Sequence, residues 1–236
     1  MTFFFSSIFV LLVFWRPQEW LVPWLYGVPM LDIVVGMSLL TLIIETNQGI
    51  VKMPRDMPQL WLYWGLWFAT LATHIVNTYW EFLVKTFPDT FKLCFFGFLL
   101  FCLLDGVRRM RTIVGLIVAM GIVMSIHALL QQHRGYGFAG QAPIYQYRIL
   151  SETYSIRSLF FGIFEDPNDL AQFLGVCVPF AFAWPRRMGF FGRIFAIGTA
   201  SLLVTAVIAT DSRGGYIGLA TTGAVMAALL LPARWL

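Results

Sequence analysis

The chain has 236 residues, 59% of them hydrophobic and 12% charged, against roughly 45–50% and about 25% in soluble domains. So little polar surface cannot coat a globule in water, which excludes an ordinary soluble enzyme. The net charge of +4 sits in short basic clusters between apolar runs, so it reads as membrane topology and gives no ground for nucleic-acid binding.

Runs free of Asp, Glu, Lys and Arg cover Met1–Trp15, Met57–Trp80, Thr112–Gln132, Leu170–Pro185, Ile194–Thr210 and Gly214–Ala233. Several match the ~20 residues that a helix needs to cross the hydrocarbon of a bilayer. Two weaker candidates are Ile33–Ile44, reached through "WLVPWLYGVPMLD", and Leu93–Leu104, which follows a Lys92 able to snorkel. The expected fold is all-α, a polytopic transmembrane bundle of about eight segments, because lipid-exposed backbone must satisfy its own hydrogen bonds. The solid runs lack the in–out alternation of a β-barrel.

The first run has no preceding Lys or Arg and ends in bulky Phe14 and Trp15, so a retained helix is expected rather than a cleaved signal. "DGVRRMR" (105–111) and "PRRMGFFGR" (185–193) are basic connectors that the positive-inside rule assigns to the cytoplasm. Residues 133–169 between them then lie outside, and both termini lie inside. The same count places "RPQEW" (16–20) outside and "ETNQGIVKMPRDM" (45–57) inside. Trp15, Trp20, Trp24, Tyr26, Tyr79, Trp80, Trp184 and Trp235 read as interfacial belts. The stretch 78–91 mixes aromatics with isolated charges and predicts a surface helix or re-entrant turn. The chain reads as one integral membrane domain: N-terminal helices over 1–130, an outer loop over 131–169, and a second helical part over 170–236.

Cys94, Cys102 and Cys177 fall inside apolar runs and fit no disulfide or zinc spacing. His74 and His127 are expected to be hydrogen-bonded between helices. Asp32 is expected near the outer interface, paired with Arg16 or another cation, because immersion of a carboxylate is costly.

Two stretches can carry chemistry. In "ATDSRGGYIGL" (209–219), Ser212 is a natural N-cap and the first amides of the following helix are unpaired. Arg213 adds a guanidinium fork suited to phosphate oxygens, while Gly214 and Gly215 let a ligand approach the backbone. Together these describe an anion site. The alternative is that Arg213 snorkels and pairs with Asp211, with the glycines serving helix packing. In "FEDPNDLAQF" (164–173), Asp166 as N-cap, Pro167 at the first position and Asp169 in the first turn announce a helix start. Glu165, Asp166 and Asp169 are also a carboxylate set for a divalent metal. The outer loop holds His133, Arg134, Arg148 and Arg157 among tyrosines, a surface that can receive a diphosphate and stack on sugars, or a solvated cap.

The order of these motifs, "DPNDLA" (166–171), a basic connector and "TDSRGGYIGL" (210–219), resembles the O-antigen ligase and polymerase superfamily. "FVLLVFWRPQEW" (9–20) and "WLYWGLWFATLATH" (61–74) look like its exosortase A-associated O-glycosylation ligase branch. The resemblance implies a metal-independent inverting glycosyltransferase of the bacterial inner membrane, without a cofactor. Such an enzyme moves a glycan from an undecaprenyl diphosphate donor to a lipid, glycan or protein acceptor. It places Arg213 against the donor diphosphate and Asn168 at a helix start beside the cavity, and the candidate binding set is Arg213, Ser212, Gly214, Arg157 and Asn168. It also implies a late outer loop with a second arginine and a histidine base. None of His74, His127 or His133 holds the corresponding place, so the 236 residues are expected to be the N-terminal part of a ligase, its remainder supplied by further sequence or a second chain. The other classes left open are a transporter and a non-catalytic lipid-handling subunit.

Overall fold

The computed structural model describes residues 1–25, 27–52, 58–148, 152–183 and 189–230. Tyr26, Trp184, Arg186, Arg187, Arg234 and Trp235, on which parts of the topology and belt expectations rest, lie outside the described residues. In chain order the elements are α1 (Thr2–Phe14), α2 (Pro17–Trp20), α3 (Met30–Asn47), α4 (Pro58–Val76), α5 (Trp80–Leu103), α6 (Val107–Arg134), β1 (Ile144–Arg148), β2 (Thr153–Arg157), α7 (Pro167–Ala183), α8 (Gly189–Ala209) and α9 (Arg213–Leu230). Single 3-10 turns lie at Pro23–Leu25, Phe138–Gly140 and Gly162–Phe164. Of the described residues, 79% are helical. Among the described residues, four helical segments are long and apolar enough to cross a membrane: Met30–Asn47, Thr86–Leu103, Val107–Arg134 and Gly189–Ala209.

Two of those four contain the runs that were weakest in the sequence. Residues 78–91 form no separate surface helix, because α5 runs unbroken from Trp80 to Leu103 with Pro88 inside it. Neighbouring packing holds this helix together across the proline. Phe87, Phe91 and Phe95 stack along one face, Trp67 meets Phe87 and Phe91, and Trp67 Nε1 donates to Thr90 Oγ1 at 3.2 Å.

The chain divides into two compact units, Met1–Leu12 with Pro29–Met110 and Val13–Val28 with Arg111–Leu236. In the first, Leu42, Val51, Phe95, Leu99, Cys102 and Leu103 form a buried cluster. Asp32 pairs there with Lys92 at 2.6 Å. Arg16 instead pairs with Glu19, three residues along, at 2.6 Å in the second unit. Arg109 of the basic connector lies in the first turn of α6, where it pairs with Asp105 at 3.1 Å and covers the Phe3 ring.

In the second unit, α7 packs on α8 and α9. Its buried face, Leu170, Ala171, Leu174, Cys177, Val178 and Ala181, recurs at three- and four-residue spacing. The α8 helix that packs on it buries the small residues Ala196, Thr199, Ala200 and Ala206, which suit close helix packing. The opposite face of α8 exposes Phe190, Phe191, Ile194 and Ile197. An apolar outer face around a small-residue inner face suits hydrocarbon and not water.

Between α6 and α7 the all-α expectation is modified by two short strands. β1 and β2 pair antiparallel from Ile144↔Arg157 to Arg148↔Thr153. Strict alternation puts Gln146, Arg148 and Arg157 on one face and Tyr145, Tyr147 and Tyr154 on the other.

Candidate functional site

The site is built where two helices begin. At the start of α7, Asp166 Oδ1 accepts the Asn168 N–H at 2.7 Å and Pro167 occupies the first position, as the sequence indicates. At the start of α9, Ser212 Oγ accepts the Gly215 N–H at 3.1 Å, and Ser212 O accepts the Tyr216 N–H at 3.0 Å. The two starts are joined, because Ser212 Oγ also donates to Asn168 Oδ1 at 2.8 Å.

Arg157 reaches the same junction from β2. Its Nη2 donates to Asn168 Oδ1 at 3.1 Å, its Nε to Thr210 O at 3.3 Å and its Nη1 to Gln146 Oε1 at 3.3 Å. Of the five residues expected in the site, Ser212, Arg157 and Asn168 are hydrogen-bonded at one junction, and Arg213 and Gly214 follow Ser212 in the chain. Ser212 is fully buried and its hydroxyl is engaged by the cap and by Asn168. That hydroxyl is thus committed to contacts within the chain. The glycines also divide: a Cβ on Gly215 would lie 2.7 Å from Ala171 Cβ, so Gly215 serves helix packing. A Cβ on Gly214 would meet nothing nearer than Ser212 Oγ at 3.9 Å, leaving that backbone open.

Arg213 is exposed, and among the described residues its side chain makes no hydrogen bond or ion pair. Asp211, the partner considered for it, is turned elsewhere. Its backbone is left-handed, with φ of 50°, a conformation Asp and Asn tolerate better than most residues. Its carboxylate pairs with Arg148 of β1. Burial alone would raise the Asp211 carboxyl, but hydrogen bonds from Arg148 and Ser155 and the charges of Arg148 and Arg157 outweigh this and hold it below its ordinary range. The Arg148 guanidinium is raised by the same pairing.

The positive ends of two helix dipoles and the guanidinium of Arg157 thus meet at one junction, and Arg213 follows Ser212 directly in the chain. Beside them a cleft of about 460 Å³ opens between the ends of α6 and α8 and the hairpin, lined by residues that include His133, Arg148, Tyr154, Ile208 and Asp211. Glu165, Asp166 and Asp169 do not form the metal site considered for them: among the described residues no three His, Cys, Asp or Glu side chains are grouped to hold an ion. Compared with protein-family models, curated proteins and solved structures, the chain matches none.

Two residues that hold the site drew no attention in the sequence. Gln132 Nε2 donates to Ile156 O at 2.8 Å and Ala209 O at 2.7 Å, tying α6, β2 and the end of α8 together. Gln131 Oε1 accepts the Leu159 N–H at 3.0 Å and Gln131 Nε2 reaches Gln141 O at 3.3 Å. Their one signal was position, a glutamine pair closing a long apolar run. The histidines do not bridge helices. His127 Nδ1 accepts the Phe138 N–H at 3.0 Å, so it binds the loop, and His74 contacts Thr70 O of its own helix at 3.0 Å.

Proposed function

We propose that the second unit carries the donor end of a membrane glycosyltransferase of O-antigen ligase type. In this reading Arg213, with the open backbone of Gly214, takes the diphosphate of an undecaprenyl diphosphate-linked glycan. Arg157 and Asn168 hold the helix starts on which that site is built. The leaving diphosphate gains charge as the glycosidic bond breaks, and a guanidinium fixed beside it stabilises that charge more in the transition state than in the ground state. The observation that carries the reading is the exposed Arg213 at the start of α9, whose side chain has no partner among the described residues, while Asp211 is engaged by Arg148.

The topology that goes with it has about eight crossings in a bacterial inner membrane, both termini in the cytoplasm, and the hairpin loop with the 211–213 turn on the outer side. The three arginines at the start of α6 support this orientation, because cations at a helix N-terminus oppose the helix dipole and fit better as inside anchors. The acceptor is a lipid, glycan or protein hydroxyl, and no metal takes part.

The test is transfer from undecaprenyl diphosphate-linked glycan in membranes holding the chain with its natural downstream sequence. Arg213→Ala is expected to abolish transfer at unchanged expression, with Arg213→Lys recovering part of it. Full transfer by Arg213→Ala removes the proposal.

A further inference from the structure

The ion pair between Arg148 and Asp211 joins the hairpin to the turn between α8 and α9. Both residues line the cleft of about 460 Å³ between α6, α8 and the hairpin. The carboxylate feels two guanidiniums, since Arg148 hydrogen-bonds it and Arg157 adds its charge. Tyr216 Oη approaches its other oxygen at 3.4 Å, so the carboxylate is oriented as well as paired. Arg148 itself is half exposed, and an Arg fork retains donors beyond those used for one carboxylate oxygen. Asp211 adopts a left-handed backbone, and such conformations persist where the surrounding structure over-determines them.

A single carboxylate set between guanidiniums, at the edge of an open cleft, occupies the kind of position an anionic ligand would take. We propose that Asp211 is an internal counter-anion of the diphosphate site: it holds Arg148 while the site is empty and yields Arg148 to a diphosphate entering through the cleft. This rests on the reading of Arg213 as the diphosphate-binding residue and adds to it a second cation, kept in reserve. The device has two consequences. Without a ligand, the pair clamps the hairpin to the α8–α9 turn. With a ligand, the charge repelling it must move aside, so only an anion able to engage Arg148 as well as Arg213 displaces Asp211. A diphosphate, with its two charged groups, meets that requirement better than a single phosphate.

The experiment is calorimetric binding of inorganic pyrophosphate, with inorganic phosphate in parallel, to the purified chain in nanodiscs. Asp211→Asn keeps a residue that tolerates the left-handed backbone, while removing the competing charge. It is expected to bind pyrophosphate about fivefold more tightly than the wild type, the scale of an exposed ion pair lost as a competitor. The gain is expected to vanish when Arg148→Ala is present in both members of the comparison, and to be smaller for inorganic phosphate. Unchanged or weaker pyrophosphate binding by Asp211→Asn overturns the proposal. If amide exchange within 144–148 and 153–157 rises at the same time, Asp211 serves as an anchor only. Arg213→Ala separates the two readings: undiminished pyrophosphate binding in that variant removes the Arg213 assignment, while the Asp211→Asn and Arg148→Ala cycle still decides the counter-anion.

Discussion

Ser212 Oγ donates a hydrogen bond of 2.8 Å to Asn168 Oδ1, and this bond ties the first turn of α9 to the first turn of α7. The two residues are 44 positions apart, and each serves its own helix start. The same Asn168 oxygen also receives Arg157 at 3.1 Å. One amide oxygen therefore aligns two helix N-termini and a guanidinium, so that their partial and full positive charges face one region.

Asn168→Ala is expected to leave the buried Ser212 hydroxyl without its acceptor and Arg157 with one contact fewer. The cost is about 1–3 kcal/mol, the usual penalty for an unsatisfied buried polar group. Thermal unfolding of the purified protein checks it, and Asn168→Asp, which keeps the acceptor, is expected to lose less.

The two adjacent glycines should behave oppositely. Gly215→Ala places a methyl 2.7 Å from Ala171 Cβ, and overpacking of this kind costs about 1–3 kcal/mol. Gly214→Ala meets nothing within 3.4 Å and is expected to fold as well as the wild type, while weakening diphosphate binding by covering the open backbone. Melting temperature and binding, measured on both variants, separate packing from ligand access.

The Arg148–Asp211 pair predicts how the hairpin responds to acid. Because the Asp211 carboxyl is held below its ordinary value of 3.8, its contribution is fully present above that pH and is lost as pH falls through the lower folded value. Strand amides within 144–148 and 153–157 should keep their exchange protection from neutral pH down to about pH 4 and lose it below. In Asp211→Asn, protection in the absence of ligand should be lower throughout and should not depend on pH in that range.

Gln132→Leu is expected to detach the hairpin in another way. It deprives Ile156 O and Ala209 O of a shared donor in a partly buried place, a loss of about 1–3 kcal/mol. Limited proteolysis between β1 and β2 should accelerate in this variant while α8 keeps its helicity by circular dichroism.

Helix starts were readable in the sequence because capping is local. Asp166 with Pro167, and Ser212 before two glycines, announce themselves within four residues, and both caps are present. The long apolar runs likewise became helices, since nothing but length and composition was needed. What failed depended on distance along the chain. "IYQYR" and "TYSIR" alternate as a hairpin should, yet five-residue strands amid exposed tyrosines resemble a solvated loop until their pairing is seen. The isolated charges among the aromatics of 78–91 suggested a surface helix or re-entrant turn, yet this stretch continues into α5, where Trp67 packs on Phe87 and Phe91. The partner of Asp211 was sought two residues away, at Arg213. It lies 63 residues away, at Arg148, where only the fold can bring it.

The claim on which the rest depends is that Arg213 holds a lipid-borne diphosphate, and its most direct test is binding of undecaprenyl diphosphate to the purified chain in nanodiscs. Removing a charge-assisted contact of this kind is worth about 1.5–3 kcal/mol, so Arg213→Ala should weaken binding by about tenfold or more at unchanged melting temperature. Equal affinity in the wild type and Arg213→Ala would contradict the account.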